Sequence, residues 1–270
     1  MIEIQSLGRD YVRGATLTVL DNVSFSIADN EFVSITGPSG SGKSTLLGLL
    51  AGLDRPTRGS VSIEGQNLNQ LDEASLSRFR GSRIGFVFQN FQLVPTLTAL
   101  ENVSLPLKLQ GLADADSRAR SLLERVGLSD RSDHYPTQLS GGEMQRVAIA
   151  RATVISPSIL FADEPTGNLD SASGDNIISL LLEQRSRCTV VLVTHNPELA
   201  ALADREIRLK DGMVEEIVSH RGGGRSAKGK NSSKAGSKKA AKKRNSPSAS
   251  KGSSKVTRSK QSVARKGSRR

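Results

Sequence analysis

The sequence predicts an α/β protein whose core is a wound, mainly parallel sheet. Three short apolar segments indicate this fold: EFVSIT (31–36), SILFAD (158–163) and TVVLVT (189–194). None of them alternates between polar and apolar residues, which is typical of strands covered by helices on both faces. Each segment is followed by a loop and then by a helical pattern of apolar residues. We therefore expect a sheet built from repeated strand–helix units.

Antiparallel strands are expected near both ends of this α/β region. Residues 2–29 contain two or three strand patterns separated by turns, and VSIEG (61–65) is a further strand pattern. We expect these segments to form a small antiparallel β subdomain at one edge of the molecule. Asp-Gly at 211–212 lies between EIRLK and MVEEIV, which is a strong hairpin signal.

A helical insertion, at about residues 90–155, is predicted between the first and the later core strands. Apolar residues recur at helical spacing in TALENVSLPLKLQGL, ADSRARSLLERVGL and GEMQRVAIARATVI. These three patterns lie together in the chain, whereas the core strands lie before and after them. The sequence therefore predicts a helical subdomain that extends from the sheet.

The positive charge of the chain is concentrated in its last fifty residues. The net charge is +11, and residues 221–270 hold 18 of the 38 lysines and arginines and no acidic residue. The other 20 basic and 27 acidic residues give residues 1–220 a net charge of −7. Residues 221–270 also lack aromatic residues and contain only two valines, too little apolar surface to offset the entropy of ordering. We predict one domain over 1–220 and a disordered basic tail over 221–270.

The composition excludes several classes of protein. No apolar segment approaches the roughly 18–20 residues of a membrane-spanning helix, and the first residues do not resemble a signal peptide. The single cysteine, Cys188, excludes an internal disulfide framework and a cysteine-rich metal site. We expect a cytoplasmic protein that needs a partner for any work in a membrane.

A phosphate-binding loop follows the first core strand. Residues 37–44, GPSGSGKS, match the pattern G-x-x-x-x-G-K-[ST] in every position. Its glycines let backbone N–H groups turn toward a phosphate, and the N-terminus of the following helix adds partial positive charge. Lys43 can reach the β- and γ-phosphates, and Ser44 can ligate Mg²⁺. The nucleotide-contacting residues predicted here are Gly37, Pro38, Ser39, Gly40, Ser41, Gly42, Lys43, Ser44 and Thr45. The sequence thus predicts a P-loop NTPase fold that binds ATP and Mg²⁺.

Two adjacent carboxylates end the second core strand. Asp163 closes the apolar segment SILFAD and can hold Mg²⁺ directly or through water. Glu164 follows at once and points elsewhere, which places a carboxylate near the γ-phosphate. A general base that activates water needs this position.

In this order the motifs resemble the ATP-binding cassette ATPases, and the resemblance covers nearly all of residues 1–220. LSGGE (139–143) resembles the signature loop of that family, and Gln89 resembles its Q-loop glutamine. GNLD (167–170), which ends at Asp170, resembles the D-loop, and His195 resembles the switch histidine. Tyr11 lies upstream at the position where the family has an aromatic residue that packs against adenine. Longer segments such as FADEPTGNLD resemble one subgroup of the family, the ATPases of lipoprotein-release, macrolide-export and cell-division-type transporters. Met144 departs from this pattern, because a glutamine is expected after LSGGE.

This resemblance implies a head-to-tail homodimer that encloses ATP. Ser140, Gly141 and Gly142 of one copy would contact the γ-phosphate held by the phosphate-binding loop of the other. A second helix N-terminus adds N–H donors where the negative charge of ATP is greatest. ATP then holds two subunits together, and its hydrolysis weakens that contact.

The resemblance also implies residue roles and a membrane partner. Glu164 would polarise the attacking water with help from His195, and Lys43 would neutralise developing charge. Three residues would hold Mg²⁺: Ser44, Gln89 and Asp163. We expect an integral membrane permease to dock near residues 89–100, and the chain to lie on the inner face of the cell membrane through that permease. The alternative for residues 89–100 is ordinary packing of the helical subdomain.

Other functions remain open at this stage. One is a soluble cassette ATPase of translation or DNA repair, although such proteins typically carry two cassettes or a long coiled-coil insertion. Another is a nucleic-acid-binding module built on the tail, since 18 positive charges would bind phosphate backbones. The tail has three interpretations: a solvated extension without function, a contact with anionic lipid, or a contact with nucleic acid.

Overall fold

The structure is a computed structural model that describes residues 2–220. The predicted basic tail, 221–270, lies outside the described residues, so its disorder and the domain boundary near His220 stay predictions. Within residues 2–220 no helix combines the length and the apolar character that crossing a bilayer requires.

The main sheet has six strands, in the order β10-β9-β3-β8-β7-β6. The strands are β3 (Phe32–Thr36), β6 (Ile84–Val87), β7 (Ile159–Asp163), β8 (Thr189–Val193), β9 (Arg205–Lys210) and β10 (Met213–Ser219). All neighbours are parallel except β9 and β10, which form an antiparallel hairpin. The three predicted core strands are confirmed as β3, β7 and β8.

A second, four-stranded sheet is antiparallel, with the order β2-β1-β4-β5. Its strands are β1 (Ile2–Arg13), β2 (Ala15–Ile27), β4 (Arg58–Ile63) and β5 (Gln66–Asn67). The predicted antiparallel subdomain is therefore confirmed. The strand predicted at 61–65 ends earlier, at Ile63, because Glu64 and Gly65 take positive φ values of 52° and 80° and form the turn into β5.

Seven α-helices connect these strands within the described residues. They are α1 (Lys43–Leu50), α2 (Glu73–Arg83), α3 (Ala99–Leu109), α4 (Ala115–Arg125), α5 (Gly141–Thr153), α6 (Ser171–Gln184) and α7 (Pro197–Ala200). Helices α3, α4 and α5 form the predicted helical insertion. The predicted hairpin is also confirmed, since Asp211 and Gly212 both have positive φ, 48° and 78°, between β9 and β10.

Buried side chains cover both faces of the main sheet. Strand β8 shows this directly, because Val191 and Val193 pack toward the antiparallel sheet and α1. Val190 and Leu192 pack into a separate cluster with α6. A third cluster lies inside the helical subdomain, between α3, α4 and α5. This two-sided burial explains why the core strands do not alternate between polar and apolar residues.

Candidate nucleotide-binding site

The phosphate-binding loop joins β3 to α1 and depends on two tightly packed glycines. Gly37 has φ 145°, and a Cβ there would clash with the carbonyl oxygen of Leu209. Gly42 has φ 94° and caps α1, and a Cβ there would lie 2.7 Å from Leu20 Cδ2. Since Gly42 offers no side chain, no side chain in the described part of the chain caps the first N–H groups of α1, and these groups are available to an anion.

Lys43 lies over this loop. Its ammonium donates hydrogen bonds to the carbonyl oxygens of Gly37 and Pro38, each at 2.9 Å. These bonds hold the positive charge at the mouth of the loop, beside the N-terminus of α1. The arrangement is suited to a polyphosphate, which both the lysine and the backbone N–H groups can contact.

Ser44 and Asp163 meet beside the loop. The Ser44 hydroxyl donates to Asp163 Oδ1 at 3.5 Å, and Asp163 is the last residue of β7. Burial raises the pKa of the Asp163 carboxyl, and the neighbouring Glu164 adds to this, whereas the Ser44 hydrogen bond and Lys43 oppose it. In the described part of the chain no group of three or more His, Cys, Asp or Glu residues could hold a metal. One carboxylate and one hydroxyl, both hard oxygen ligands, fit a Mg²⁺ ion that takes its other ligands from phosphate and water.

Glu164 has an unusual backbone conformation. Its φ is 45°, a left-handed value that non-glycine residues rarely adopt. The Glu164 N–H donates to the carbonyl of Val193 at 2.9 Å, and Oε1 lies 2.9 Å from His195 Nδ1. The Glu164 side chain is 13% exposed, whereas that of His195 is 73% exposed. Strained backbone of this kind is common at functional sites, where surrounding contacts hold it in place.

Gln89 lies two residues after β6 and contacts the turn at 167–168. A Cβ on Gly167 would lie 3.3 Å from Gln89 Nε2, and the Gln89 carbonyl accepts a hydrogen bond of 3.0 Å from Asn168. No hydrogen bond among the described residues joins Gln89 to Ser44 or Asp163. A magnesium role for Gln89 therefore stays a prediction.

The signature segment, 139–143, begins helix α5. Ser140 is the N-cap, and its hydroxyl accepts a 3.3 Å hydrogen bond from the Glu143 N–H, while Glu143 Oε2 accepts one of 2.8 Å from the Ser140 N–H. Gly142 packs so tightly that a Cβ would lie 2.7 Å from Ser173 Oγ, but a Cβ on Gly141 would find no atom closer than 3.5 Å. Within residues 2–220 no hydrogen bond or ion pair connects this segment to the phosphate-binding loop.

Two further predicted site residues have clear structural contacts. Asp170 is the N-cap of α6, and its carboxylate accepts hydrogen bonds from the Ser173 N–H and hydroxyl at 3.0 and 2.8 Å. These bonds lower the pKa of Asp170. The Tyr11 hydroxyl lies 3.3 Å from Asp54 Oδ2, and the Arg9 guanidinium lies 4.5 Å from the centre of its ring. Contact of either residue with a nucleotide stays a prediction.

Two residues of α5 that the sequence did not single out contact the site's loops. Arg151 donates to the carbonyls of Phe91 and Gln92 at 2.9 and 2.6 Å. The fully buried Gln145 donates from Nε2 to the carbonyl of Pro165, directly after Glu164, at 2.7 Å. No motif marks either residue. Gln145 is buried and Arg151 is half-buried, which only the packing of α5 reveals.

Comparisons with known proteins identify close relatives. A family model described as ABC transporter matches residues 20–167. The chain is 48% identical over 221 residues to YbbA of Escherichia coli K12, an uncharacterised ABC transporter ATP-binding protein, and the match covers 80% of this chain and 97% of YbbA. It is 47% identical over 221 residues to LolD of Chromohalobacter salexigens, a lipoprotein-releasing system ATP-binding protein, with 80% of this chain and 93% of LolD covered.

A solved structure has the same fold. It is the dimeric, post-hydrolysis state of the ATP-binding cassette MJ0796 bound to ADP and Pi, which is 44% identical to this chain with a TM-score of 0.78. The match covers 82% of this chain and 100% of that chain. The predicted cassette fold is therefore confirmed.

Proposed function

Because the chain belongs to the family of ABC transporter ATP-binding proteins, we propose that it powers a separate integral membrane permease by forming an ATP-dependent head-to-tail homodimer. It is an ATPase that converts ATP and water to ADP and phosphate, and this reaction is coupled to transport. The similarity to LolD favours a permease of the lipoprotein- or lipid-release or export type. The chain would then lie at the inner face of the cell membrane, held by the permease.

The reaction proposed at the site is in-line attack of water on the γ-phosphorus of ATP. The Glu164 carboxylate would polarise the water, and His195, 2.9 Å away, orients that carboxylate. Lys43 would neutralise charge that develops on the phosphate oxygens. Ser44, Gln89 and Asp163 would hold Mg²⁺, which supplies further neutralisation of the phosphates.

The proposed dimer completes the site with residues from a second copy. The phosphate-binding loop and Glu164 would contact the nucleotide from their own chain, whereas in residues 2–220 the signature segment of that chain has no hydrogen bond to the loop. Ser140, Gly141 and Gly142 of a second copy would supply N–H donors at the N-terminus of α5. The dimeric cassette bound to ADP and Pi supports this arrangement, since it shares the fold and 44% of its sequence with this chain.

We propose an apolar groove as the docking site of the permease. A cavity of about 440 Å³ lies between the core and the helical subdomain. Phe86 and Phe88 line it as a stacked pair with ring centroids 4.0 Å apart, and Leu53, which is 52% exposed, lines its edge with Pro106. A short amphipathic helix of a partner would bury these groups. Gln92 also lines the groove, which agrees with the docking region expected near residues 89–100.

We expect Leu53→Glu to release the protein from membranes while its basal ATP hydrolysis stays within about twofold of wild type. A charge in the groove would have to be desolvated on docking, whereas on the free surface it is solvated. The measurement is the fraction of the protein that sediments with the membranes of the cells that produce it, after these membranes are washed at high salt. Leu109→Glu is the matched control, because Leu109 is 79% exposed and lies outside the groove. If Leu53→Glu sediments with the membranes to the same extent as Leu109→Glu and the wild type, the docking proposal is contradicted.

The basic tail is proposed to add a salt-sensitive contact with anionic lipid or nucleic acid. Its 18 positive charges follow a domain with a net charge of −7, and polybasic segments are attracted to anionic surfaces. High salt screens such contacts. The difference in salt-dependent release between the full chain and a variant that lacks residues 221–270 therefore measures the contribution of the tail.

A further inference from the structure

The turn that carries Glu164 is held by contacts from several elements. The Glu164 N–H donates to the carbonyl of Val193, the last residue of β8, and the Glu164 carboxylate contacts His195, which follows that strand. The turn closes on itself through a 3.0 Å bond from the Gly167 N–H to the Glu164 carbonyl. The remaining carbonyl next to Glu164, that of Pro165, accepts the 2.7 Å hydrogen bond from Gln145 Nε2. Gln145 thus attaches this strained turn to helix α5.

Of the two polar atoms of the Gln145 side chain, the donor Nε2 makes a hydrogen bond at the site, and the acceptor Oε1 makes none within residues 2–220. The residue is 0% exposed, and its buried Oε1 has no hydrogen-bond partner among the residues that the structure describes. A leucine would fill a similar volume without burying an unsatisfied oxygen. Pro165 offers only an acceptor there, so the amide orientation is fixed with Nε2 toward the carbonyl.

Helix α5 places Gln145 close to the signature segment. Gly141 and Gly142 are its first two residues, and Gln145 lies about one turn further along. A 13-residue helix moves as a rigid element over such a distance. At its other end Arg151 is bonded to the carbonyls of Phe91 and Gln92, so α5 contacts both loops that flank the site.

We propose that Gln145 is a positioning residue that sets the Glu164 carboxylate according to the position of helix α5. In the proposed dimer the first residues of α5 contact the nucleotide of the partner, while Glu164 acts on the nucleotide of its own chain. The Gln145–Pro165 bond then connects the two nucleotide sites of the dimer. The positioning role requires only that the chain hydrolyses ATP, whereas the connection between the two sites rests on the proposed function, the head-to-tail dimer.

The first test is Gln145→Leu, which removes the donor. We expect kcat for ATP hydrolysis to fall at least about tenfold, because small misplacement of a catalytic group is costly. The Kd for ATP, measured on the monomer, should stay close to wild type, while the melting temperature should fall by a few degrees, because the buried Pro165 carbonyl loses its donor. Gln110→Leu is the matched control, since Gln110 Nε2 also donates to a backbone carbonyl, that of Gly81, at 2.7 Å but away from the site. A wild-type kcat for Gln145→Leu would overturn the proposal.

The second test is Gln145→Glu, which distinguishes positioning from general packing. The buried glutamate should have a raised pKa, and only its protonated form can donate to the Pro165 carbonyl. The ratio of its kcat to that of the wild type should therefore rise as the pH falls from about 8 to about 6. Taking the ratio removes every pH effect that the two proteins share. A ratio that does not change with pH would overturn the proposal.

These tests separate the inference from the proposed function. If the dimer proposal alone fails, the wild type shows no ATP-dependent dimer, but Gln145→Leu still loses kcat. If the inference alone fails, the wild type forms the dimer, and Gln145→Leu hydrolyses ATP at the wild-type rate.

Discussion

Glu164→Gln should bind ATP normally and accumulate as an ATP-bound dimer, while its hydrolysis rate falls by about 10²–10⁴-fold. The glutamine side chain has nearly the same shape and keeps an oxygen that can accept the hydrogen bond from His195, so the local geometry is retained. It cannot take a proton from the attacking water. ATP that holds two copies together is then not cleaved, and the dimer persists.

Size-exclusion chromatography with and without ATP, combined with a phosphate-release assay, measures this prediction. Glu183→Gln is the matched control, because the Glu183 side chain is 56% exposed and its one ion pair within residues 2–220 is with Arg125, at 3.7 Å. We expect this control to behave as the wild type does. Hydrolysis at the wild-type rate by Glu164→Gln would show that another group activates the water.

Gly141→Asp should retain ATP binding by the monomer but lose the ATP-dependent dimer and at least about 100-fold in hydrolysis rate. In the proposed dimer a carboxylate at this position faces the phosphates of the partner's ATP, and like charges repel. Within its own chain the substitution is well tolerated. A Cβ on Gly141 finds its nearest neighbour, Leu169 Cδ2, at 3.5 Å, and an acidic residue in the first turn of α5 is favourable.

The structure makes Gly141 a better choice for this test than Gly142. A Cβ on Gly142 would lie 2.7 Å from Ser173 Oγ, so a loss of activity there could reflect altered packing. Gly81→Asp is the control for adding a carboxylate to a helix, because no atom of residues 2–220 lies within 4 Å of a Cβ at Gly81. Circular dichroism should show equal folding of both variants. An ATP-dependent dimer of Gly141→Asp would contradict the proposed contact.

Local sequence signals predicted most of the fold. The core strands β3, β7 and β8 are recognisable because their residues are apolar on both faces, which requires cover from both sides. The hairpin at Asp211-Gly212 is recognisable because its turn needs two positive φ values, which this pair adopts readily. Strand β6 was not among the predicted core strands, since its four residues, IGFV, are too few to show a periodic pattern and follow a charged helix.

Long-range contacts at the site could not be predicted. The Glu164 conformation depends on Val193 and His195, about thirty residues away, and no local pattern specifies it. The Gln145–Pro165 bond joins two elements twenty residues apart in the chain and depends on how α5 packs on the core. By contrast, the proximity of Ser44 and Asp163 was expected, because both were predicted to hold the same Mg²⁺.

Mixing two inactive variants is the most direct test of a site shared between two copies. Lys43→Ala removes the phosphate-binding lysine, and Gly141→Asp removes the signature contact. A mixed dimer has one site with both defects and one site with neither, so a 1:1 mixture should recover about a quarter of the wild-type ATPase rate. If the mixture hydrolyses ATP no faster than the average of the two variants measured alone, the two copies do not share a catalytic site.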